Sequence, residues 1–193
     1  MKRAVAALVA LALLAPVASA QIIPTFRKDS AADGRGALDV VRVAMSHQLD
    51  GRLRGDVTME KAWTADDLRT PSGPSGSICL TLYTTREPGS EPADWLVCVT
   101  PAKEGDALRG RVLRDRANGL PRQVAAATVT RPTPRTVYLR FAPSAIGRPT
   151  SVRFAAEAVT RAPRCPKLLG CRDTAPDAPT TGKLTLRSTT PSG

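Results

Sequence analysis

The sequence predicts an all-β fold, a single antiparallel β-sandwich of the jelly-roll or immunoglobulin-like type with about eight or nine strands in residues 37–188. Three observations predict it. Short segments rich in Val, Ile, Leu and Thr recur between Gly- and Pro-containing turn signals. No long helical pattern separates these segments, which excludes a βαβ architecture. One segment alternates between apolar and charged residues, as expected for a sheet with one solvated face.

The chain begins with the signature of a cleavable secretory signal peptide over residues 1–20. Lys2 and Arg3 form a positive start, residues 4–14 are apolar, and small residues occupy positions 18–20. The apolar run is shorter than the roughly 20 residues that span a bilayer. We therefore expect a secreted or cell-envelope protein with no membrane span after cleavage.

The first elements of the mature chain are predicted to be a flexible segment and a hairpin. Small and polar residues dominate residues 21–36, which we expect to be flexible. Residues 38–45 are rich in β-branched side chains, and residues 52–60 alternate between apolar and charged ones. A turn over residues 47–51 joins the two strands.

The remaining elements are mostly short strands. Residues 65–70 are predicted to form one helical turn that begins after Thr64. The chain after Cys165 is predicted to be an irregular tail whose last residues, 189–193, are frayed. The other strand candidates are residues 78–84, 94–100, 108–114, 123–130, 136–141, 151–159 and 183–188.

Four cysteines in an exported chain favour two disulfides. If Cys79 faces Cys98 in an antiparallel hairpin, then Leu82 faces Trp95, and the face of the hairpin that carries Leu82 and Trp95 is apolar throughout. A shift of one residue in the pairing would break up the pattern of both faces.

Cys165 and Cys171 would then close a short loop. Metal or redox chemistry is the alternative, but the sequence has no C-x-x-C motif.

The formal net charge of +11 does not indicate a nucleic-acid partner. Basic and acidic residues are interspersed, which favours solvated surface.

Catalytic motifs are not recognisable. His47 is the only histidine and stands beside a hairpin turn. A glycosidase would need two carboxylates; Asp56 with Glu60, or Asp94 with Glu91, are candidates that the sequence cannot rank. We therefore expect no enzyme activity, no catalytic residue and no cofactor.

Two sets of residues are candidates for ligand binding. Trp63 and Tyr83 could stack on a sugar ring, although core packing is the favoured role for both. Arg109 and Arg111 share one strand face and could bind an anionic polymer through charge-assisted hydrogen bonds. A solvated strand edge that discourages edge-to-edge aggregation is the favoured interpretation for the arginines.

Asp173 and Asp177 are weak candidates for a Ca²⁺ site, because two carboxylates beside loop carbonyls are typical ligands of that ion. An ordinary Asx turn is the favoured interpretation, and we assign no metal.

Three short motifs carry a resemblance to known proteins. They are GALDV at 36–40, FAPSAIG at 141–147 and DTAPD at 173–177. With the cysteine-bearing strand pair between them, they resemble secreted actinobacterial proteins of unknown function whose sandwich is similar to DOMON domains and family 9 carbohydrate-binding modules. This resemblance implies a sandwich that binds sugar or haem.

Haem is not expected. The haem domains of this kind use a Met and a His on opposite sides of the iron. Met45 ends a predicted strand and His47 follows two residues later, a spacing that cannot place them on opposite sides. Met59 lies on the adjacent strand.

Our leading hypothesis is a secreted, non-catalytic binding module for carbohydrate or another cell-envelope component. An extracellular structural or protein-interaction domain, such as an inhibitor or assembly subunit, is the alternative. A hydrolase is the third.

Overall fold

The computed structural model describes residues 24–30, 38–70, 73–88, 90–161, 165, 171–177 and 180–186. The predicted signal peptide and the predicted frayed tail at 189–193 lie outside these residues. No helix in the described ranges has the length and apolar character needed to cross a membrane.

Eleven strands and two 3₁₀ turns make up the regular structure of the described residues. The turns lie at Ala65–Leu68 and Pro143–Ile146. The strands are β1 (Thr25–Lys28), β2 (Val40–His47), β3 (Leu53–Met59), β4 (Ser77–Tyr83), β5 (Trp95–Pro101), β6 (Leu108–Arg114), β7 (Arg122–Thr133), β8 (Thr136–Phe141), β9 (Ser151–Thr160), β10 (Cys171–Ala175) and β11 (Gly182–Thr185).

The strands form one antiparallel sheet in the order β1-β2-β3-β8-β7-β6-β5-β4-β9-β10, and β11 pairs with β9. The long strand β7 connects two halves of this sheet. Its residues 122–127 pair with β6, and residues 128–133 pair with β8. At the other end, β9 pairs with β11 through residues 151–154 and with β10 through 156–160.

The sheet is nearly closed into a barrel because its two ends approach each other. The Val40 N–H donates a hydrogen bond of 2.6 Å to Oδ2 of Asp173, joining β2 to β10. Close by, Nε of Arg27 donates to the Thr181 carbonyl oxygen at 3.3 Å. These contacts bridge a seam that lacks regular strand pairing among the described residues.

The interior is filled by alternate residues of the strands, including the fully buried Phe141 and Phe154. Gly55 on β3 shows how closely opposite walls approach. A Cβ at this position would lie 2.0 Å from Cδ1 of Leu80 on β4. Only a glycine therefore lets the Leu80 side chain pack directly against the β3 backbone.

The prediction of an all-β antiparallel fold is confirmed. The continuous sheet resembles a nearly closed barrel, and a two-sheet sandwich is not confirmed. The described residues also contain more strands than the expected eight or nine, since β1 and β10 fall where the sequence indicates a flexible segment and an irregular tail.

The predicted first hairpin is confirmed as β2 and β3, with one irregularity. Val40 faces Met59 but Arg42 faces Thr58, so Val41 is an extra residue that forms a β-bulge. The bulge shifts the alternation, which places both Val40 and Val43 in the core.

The cysteine pairing and the register of the second hairpin are confirmed. Cys79 faces Cys98, and Leu82 faces Trp95. The disulfides join Cys79 to Cys98 and Cys165 to Cys171, which is compatible with an extracellular protein.

Candidate binding groove

A surface groove of about 700 Å³ lies on the outer face of β5, β4, β9 and β10. Its floor is a cross-strand row in which Ala155 of β9 faces Thr81 of β4, and Thr81 faces Leu96 of β5. These side chains point outward because the alternate residues of the same strands fill the core. The floor of the groove is thus lined by small and medium-sized side chains that are mostly apolar.

A charged network crosses one side of the groove. Nε of Arg172 on β10 lies 3.2 Å from Oε2 of Glu157 on β9. Nη1 of the same guanidinium donates a hydrogen bond of 3.2 Å to Oε1 of Glu91. The Glu157 side chain is 24% exposed and that of Glu91 is 83% exposed, so the network runs from the floor to the rim.

The Glu157 carboxyl is perturbed by its surroundings. Burial raises the pKa of Glu157 above its usual range, although the Arg172 guanidinium opposes this effect. The negative charges of Glu91 and Asp115 raise the pKa further. The groove therefore holds three carboxylates, two of which pair with the Arg172 guanidinium. Hydrogen bonds donated by a ligand would stabilise these carboxylates.

One wall of the groove is the loop between β4 and β5, and Asp94 organises it. Oδ2 of Asp94 accepts hydrogen bonds from the N–H groups of Thr84, Thr85 and Arg86 at 2.7–2.9 Å, and Oδ1 accepts one from the Thr85 hydroxyl. Burial alone would raise the pKa of Asp94, but these hydrogen bonds outweigh burial and lower it to about 2.

Arg86 fixes the other end of that loop. Its Nη1 donates to the carbonyl oxygens of Pro92 and Ala93 at 2.7 and 2.8 Å. Pro92 follows a cis peptide bond with Glu91. Asp94 and Arg86 together position the backbone that presents Glu91 to the groove.

The opposite wall begins where β6 ends. Oδ2 of Asp115 accepts a hydrogen bond of 3.0 Å from the Ala93 N–H, and the Asp115 N–H donates to the Asp94 carbonyl oxygen at 3.2 Å. Arg116 follows and also lines the groove. The two walls are therefore tied to each other by one backbone–backbone hydrogen bond and by one hydrogen bond from the backbone to the Asp115 carboxylate.

The two aromatic candidates occupy different environments. Tyr83 lines the groove, although most of its side chain is buried. Trp63 is 2% exposed, so the idea that it is an exposed binding residue is wrong and the core-packing alternative holds. The Arg131 guanidinium lies 4.3 Å from the Trp63 ring centroid, and Nε1 of Trp63 donates to the Arg135 carbonyl oxygen at 3.4 Å.

Arg109 and Arg111 lie together on the outer face of β6, as expected, and both are exposed. They line a small surface pocket of about 220 Å³ with Arg69 and Lys103. No carboxylate is among the described residues that line this pocket, which we term the basic pocket.

Two of the carboxylates that the sequence offers as glycosidase candidates, Asp56 and Asp94, are bound by neighbouring groups. Asp56 lies on β3, where Oδ1 is 2.8 Å from Nε of Arg54, and burial raises its pKa against the opposing effect of Arg54. Asp94 accepts hydrogen bonds from the loop between β4 and β5, while Glu91 lies in the groove. His47 ends β2, opposite Leu53.

The Ca²⁺ candidates do not form a site in the described part of the chain. Asp173 is buried and accepts the hydrogen bond from Val40, whereas Asp177 is exposed beyond the end of β10. No group of three or more His, Cys, Asp or Glu residues that could hold a metal ion occurs among the described residues.

Sequence reasoning missed Glu157, Arg172 and Asp115 as groove residues. Arg172 lies on a strand that the sequence did not predict, and Asp115 follows a strand distant from β9. The pairing of β9 with β10 and β4, together with the pairing of β5 with β4 and β6, brings them together, and no local pattern signals it.

Comparisons with models of protein families, with curated proteins and with solved structures found no match to this chain. The arrangement of the groove is therefore the main evidence on function.

Proposed function

We propose that this chain is a secreted, non-catalytic module that binds a carbohydrate or another polar component of the cell envelope in the outer groove. The observation that supports it is the Glu157–Arg172–Glu91 network beside Tyr83, in a groove of about 700 Å³. That volume lies within the range of roughly 300–1,000 Å³ that is usual for ligand sites.

The chemistry of the lining suits a ligand with many hydroxyl groups. Carboxylates accept hydrogen bonds from the hydroxyl groups of a ligand, and a guanidinium donates hydrogen bonds to the hydroxyl oxygens in fixed directions. Thr81, Thr174 and Thr181 add neutral side chains that both donate and accept. Tyr83 adds the small exposed part of an aromatic side chain.

Export is part of the proposal. It is supported by the signal-peptide signature at residues 1–20 and by the two disulfides, which persist in oxidising compartments.

We also retain as a proposal that the nearly closed sheet is a flattened sandwich of the DOMON or family 9 carbohydrate-binding-module kind. The support is the passage of β7 from one half of the sheet to the other.

Replacing Arg172 by Ala tests the groove. Arg172 is half exposed, so we expect the variant to fold, but to bind polysaccharide at least about tenfold more weakly, because a charged hydrogen-bonding group contributes roughly 1.5–3 kcal/mol. Binding of the oxidised mature protein to a panel of neutral and acidic envelope and plant polysaccharides would be measured by affinity electrophoresis and calorimetry.

The matched control is Arg52→Ala, an exposed arginine that precedes β3, away from the groove strands. It removes the same charge and should leave binding unchanged. The proposal would be contradicted if the unmodified protein bound none of the polysaccharides, or if both variants lost the same amount of affinity.

A protein-interaction domain is the second candidate. The hairpin loop between β6 and β7 exposes Leu120 by 87%, and Val124 at the start of β7 is 46% exposed. If these two side chains form one contiguous apolar patch, that patch would mark a contact site for another protein. Co-purification of one extracellular protein, lost in Leu120→Ser, would favour this candidate.

A further inference from the structure

The basic pocket and the groove lie on the same outer face of the sheet, joined by one cross-strand row. Glu157 faces Cys79, Cys79 faces Cys98, and Cys98 faces Arg111. Adjacent strands are about 4.8 Å apart, so three steps place Arg111 roughly 14 Å from Glu157 along the sheet. The disulfide between Cys79 and Cys98 braces the strip between the two sites.

The arginines of the basic pocket are available for an external anion. Neither Arg109 nor Arg111 forms an ion pair or hydrogen bond with another described residue. They stand two residues apart on one face of β6, so their guanidinium groups start from positions about 7 Å apart. Cations that lack an internal carboxylate partner attract a ligand carboxylate strongly and with defined geometry.

Arg69 helps to shape this pocket. Its guanidinium is held by the Asp66 carboxylate and by the carbonyl oxygens of Gly105 and Ala102. Arg69 is therefore a fixed wall, whereas Arg109, Arg111 and Lys103 supply the free positive charge. The pocket has a volume of about 220 Å³ and is open to solvent, so it can take one acidic group of a larger ligand.

We propose that the two sites together bind one carboxylate-bearing polysaccharide, with a sugar unit in the groove and a carboxylate several units away in the basic pocket. This inference rests on the proposed function of the groove and adds the chemical class of the ligand. The groove is lined by three carboxylates and by two arginines, Arg116 and Arg172, so its lining has no excess of positive charge. It therefore suits uncharged or esterified units, whereas the basic pocket suits acidic ones. The chain thus selects a polymer in which acidic units are interspersed with neutral ones.

The test compares pectins with one backbone and different charge: a partly methyl-esterified pectin, a fully methyl-esterified pectin and polygalacturonate. We expect the partly esterified pectin to bind most tightly. Arg109→Gln/Arg111→Gln should weaken its binding at least tenfold and reduce the salt dependence of the dissociation constant, because fewer counterions are released on binding. Binding of the fully esterified pectin should be unchanged in this variant.

Arg52→Ala/Lys61→Ala is the matched control, since it removes two exposed cations from residues flanking β3, away from β6. The inference is overturned if this control and the Arg109/Arg111 variant lose equal affinity, or if polyphosphate displaces the pectin while carboxylation makes no difference. Arg172→Ala separates the two proposals. If Arg172→Ala abolishes binding and Arg109→Gln/Arg111→Gln leaves it unchanged, the proposal for the groove stands and the proposal for the basic pocket is rejected. The reverse result would reject the groove.

Discussion

Asp94 connects a single buried side chain to the shape of the candidate site. Its carboxylate is 3% exposed and accepts hydrogen bonds from three consecutive backbone N–H groups. An ionised carboxylate accepts these hydrogen bonds more strongly than a neutral side chain would. The wall that carries Glu91 therefore depends on the ionised form of Asp94.

We expect Asp94→Asn to lower the free energy of unfolding by about 2 kcal/mol at pH 7. The pKa of Asp94 is about 2 in the folded protein, below the value of about 3.9 in an unfolded chain. A lowered pKa contributes stability above the unfolded value and loses it as the pH falls through the folded value. The difference between the two proteins should thus shrink between about pH 4 and pH 2.

Urea unfolding at several pH values measures this difference. Glu87→Gln is the control, because Glu87 is an exposed carboxylate in the same loop and should change stability by no more than about 0.5 kcal/mol. A pH-independent difference would show that the charge of Asp94 is not what stabilises the loop.

For single residues, the sequence predicts which side chains of a hairpin point into the core and which point outward. It does not predict the burial of a side chain by residues that are distant in the sequence. Trp95 is buried opposite Leu82, as the register predicted. Trp63 looked exposed because it stands beside a loop, yet Arg131, 68 residues away, covers its ring. Nothing near Trp63 in the sequence indicates that contact.

The strand pairs carry the two disulfides, which close loops of different length. Cys79 and Cys98 are 19 residues apart and connect the two strands of a central hairpin, while Cys165 and Cys171 are 6 residues apart at the edge beside β10. A longer closed loop removes more conformational entropy from the unfolded chain. The central disulfide should therefore contribute more stability.

Replacing Cys79 and Cys98 together by Ala should cost about 3 kcal/mol, and replacing Cys165 and Cys171 should cost about 2 kcal/mol. Urea unfolding of the oxidised proteins gives both values, and each double variant serves as the control for the other. If the edge pair costs more than the central pair, loop entropy is not the dominant effect. The central variant should also weaken pectin binding, because the strip between the two sites would lose its brace.

The sequence predicts elements well where their own pattern is strong. β3 alternates clearly between buried and half-buried residues, β2 is rich in β-branched side chains, and the pairing of β4 with β5 follows from their shared apolar face. β1 and β10 have no such pattern: three of the four β1 residues are exposed, and β10 contains Arg172 and Asp173. These strands form because the edges of β2 and β9 offer unpaired backbone groups, which is a property of the assembled sheet.

The whole molecule is held closed by contacts between its first and last strands. Asp173 on β10 accepts the hydrogen bond from the Val40 N–H on β2, across a separation of 133 residues. Arg27 on β1 adds a hydrogen bond to the Thr181 carbonyl oxygen beside β11. Since Arg172 neighbours Asp173 on the same strand but points outward, closure of the barrel also fixes one side of the groove.

Asp173→Ala should lower the free energy of unfolding by about 1–3 kcal/mol, because the buried Val40 N–H would lose its acceptor. Asp173→Asn keeps an acceptor oxygen and should cost less. Asp177→Ala, an exposed carboxylate four residues along, is the control and should change stability by about 0.5 kcal/mol or less. Hydrogen exchange gives a second measurement, in which the amide of Val40 should exchange faster in Asp173→Ala than in the control. Equal protection of Val40 in both variants would mean that the sheet stays closed without this bond, and that β10 is held by its pairing with β9 alone.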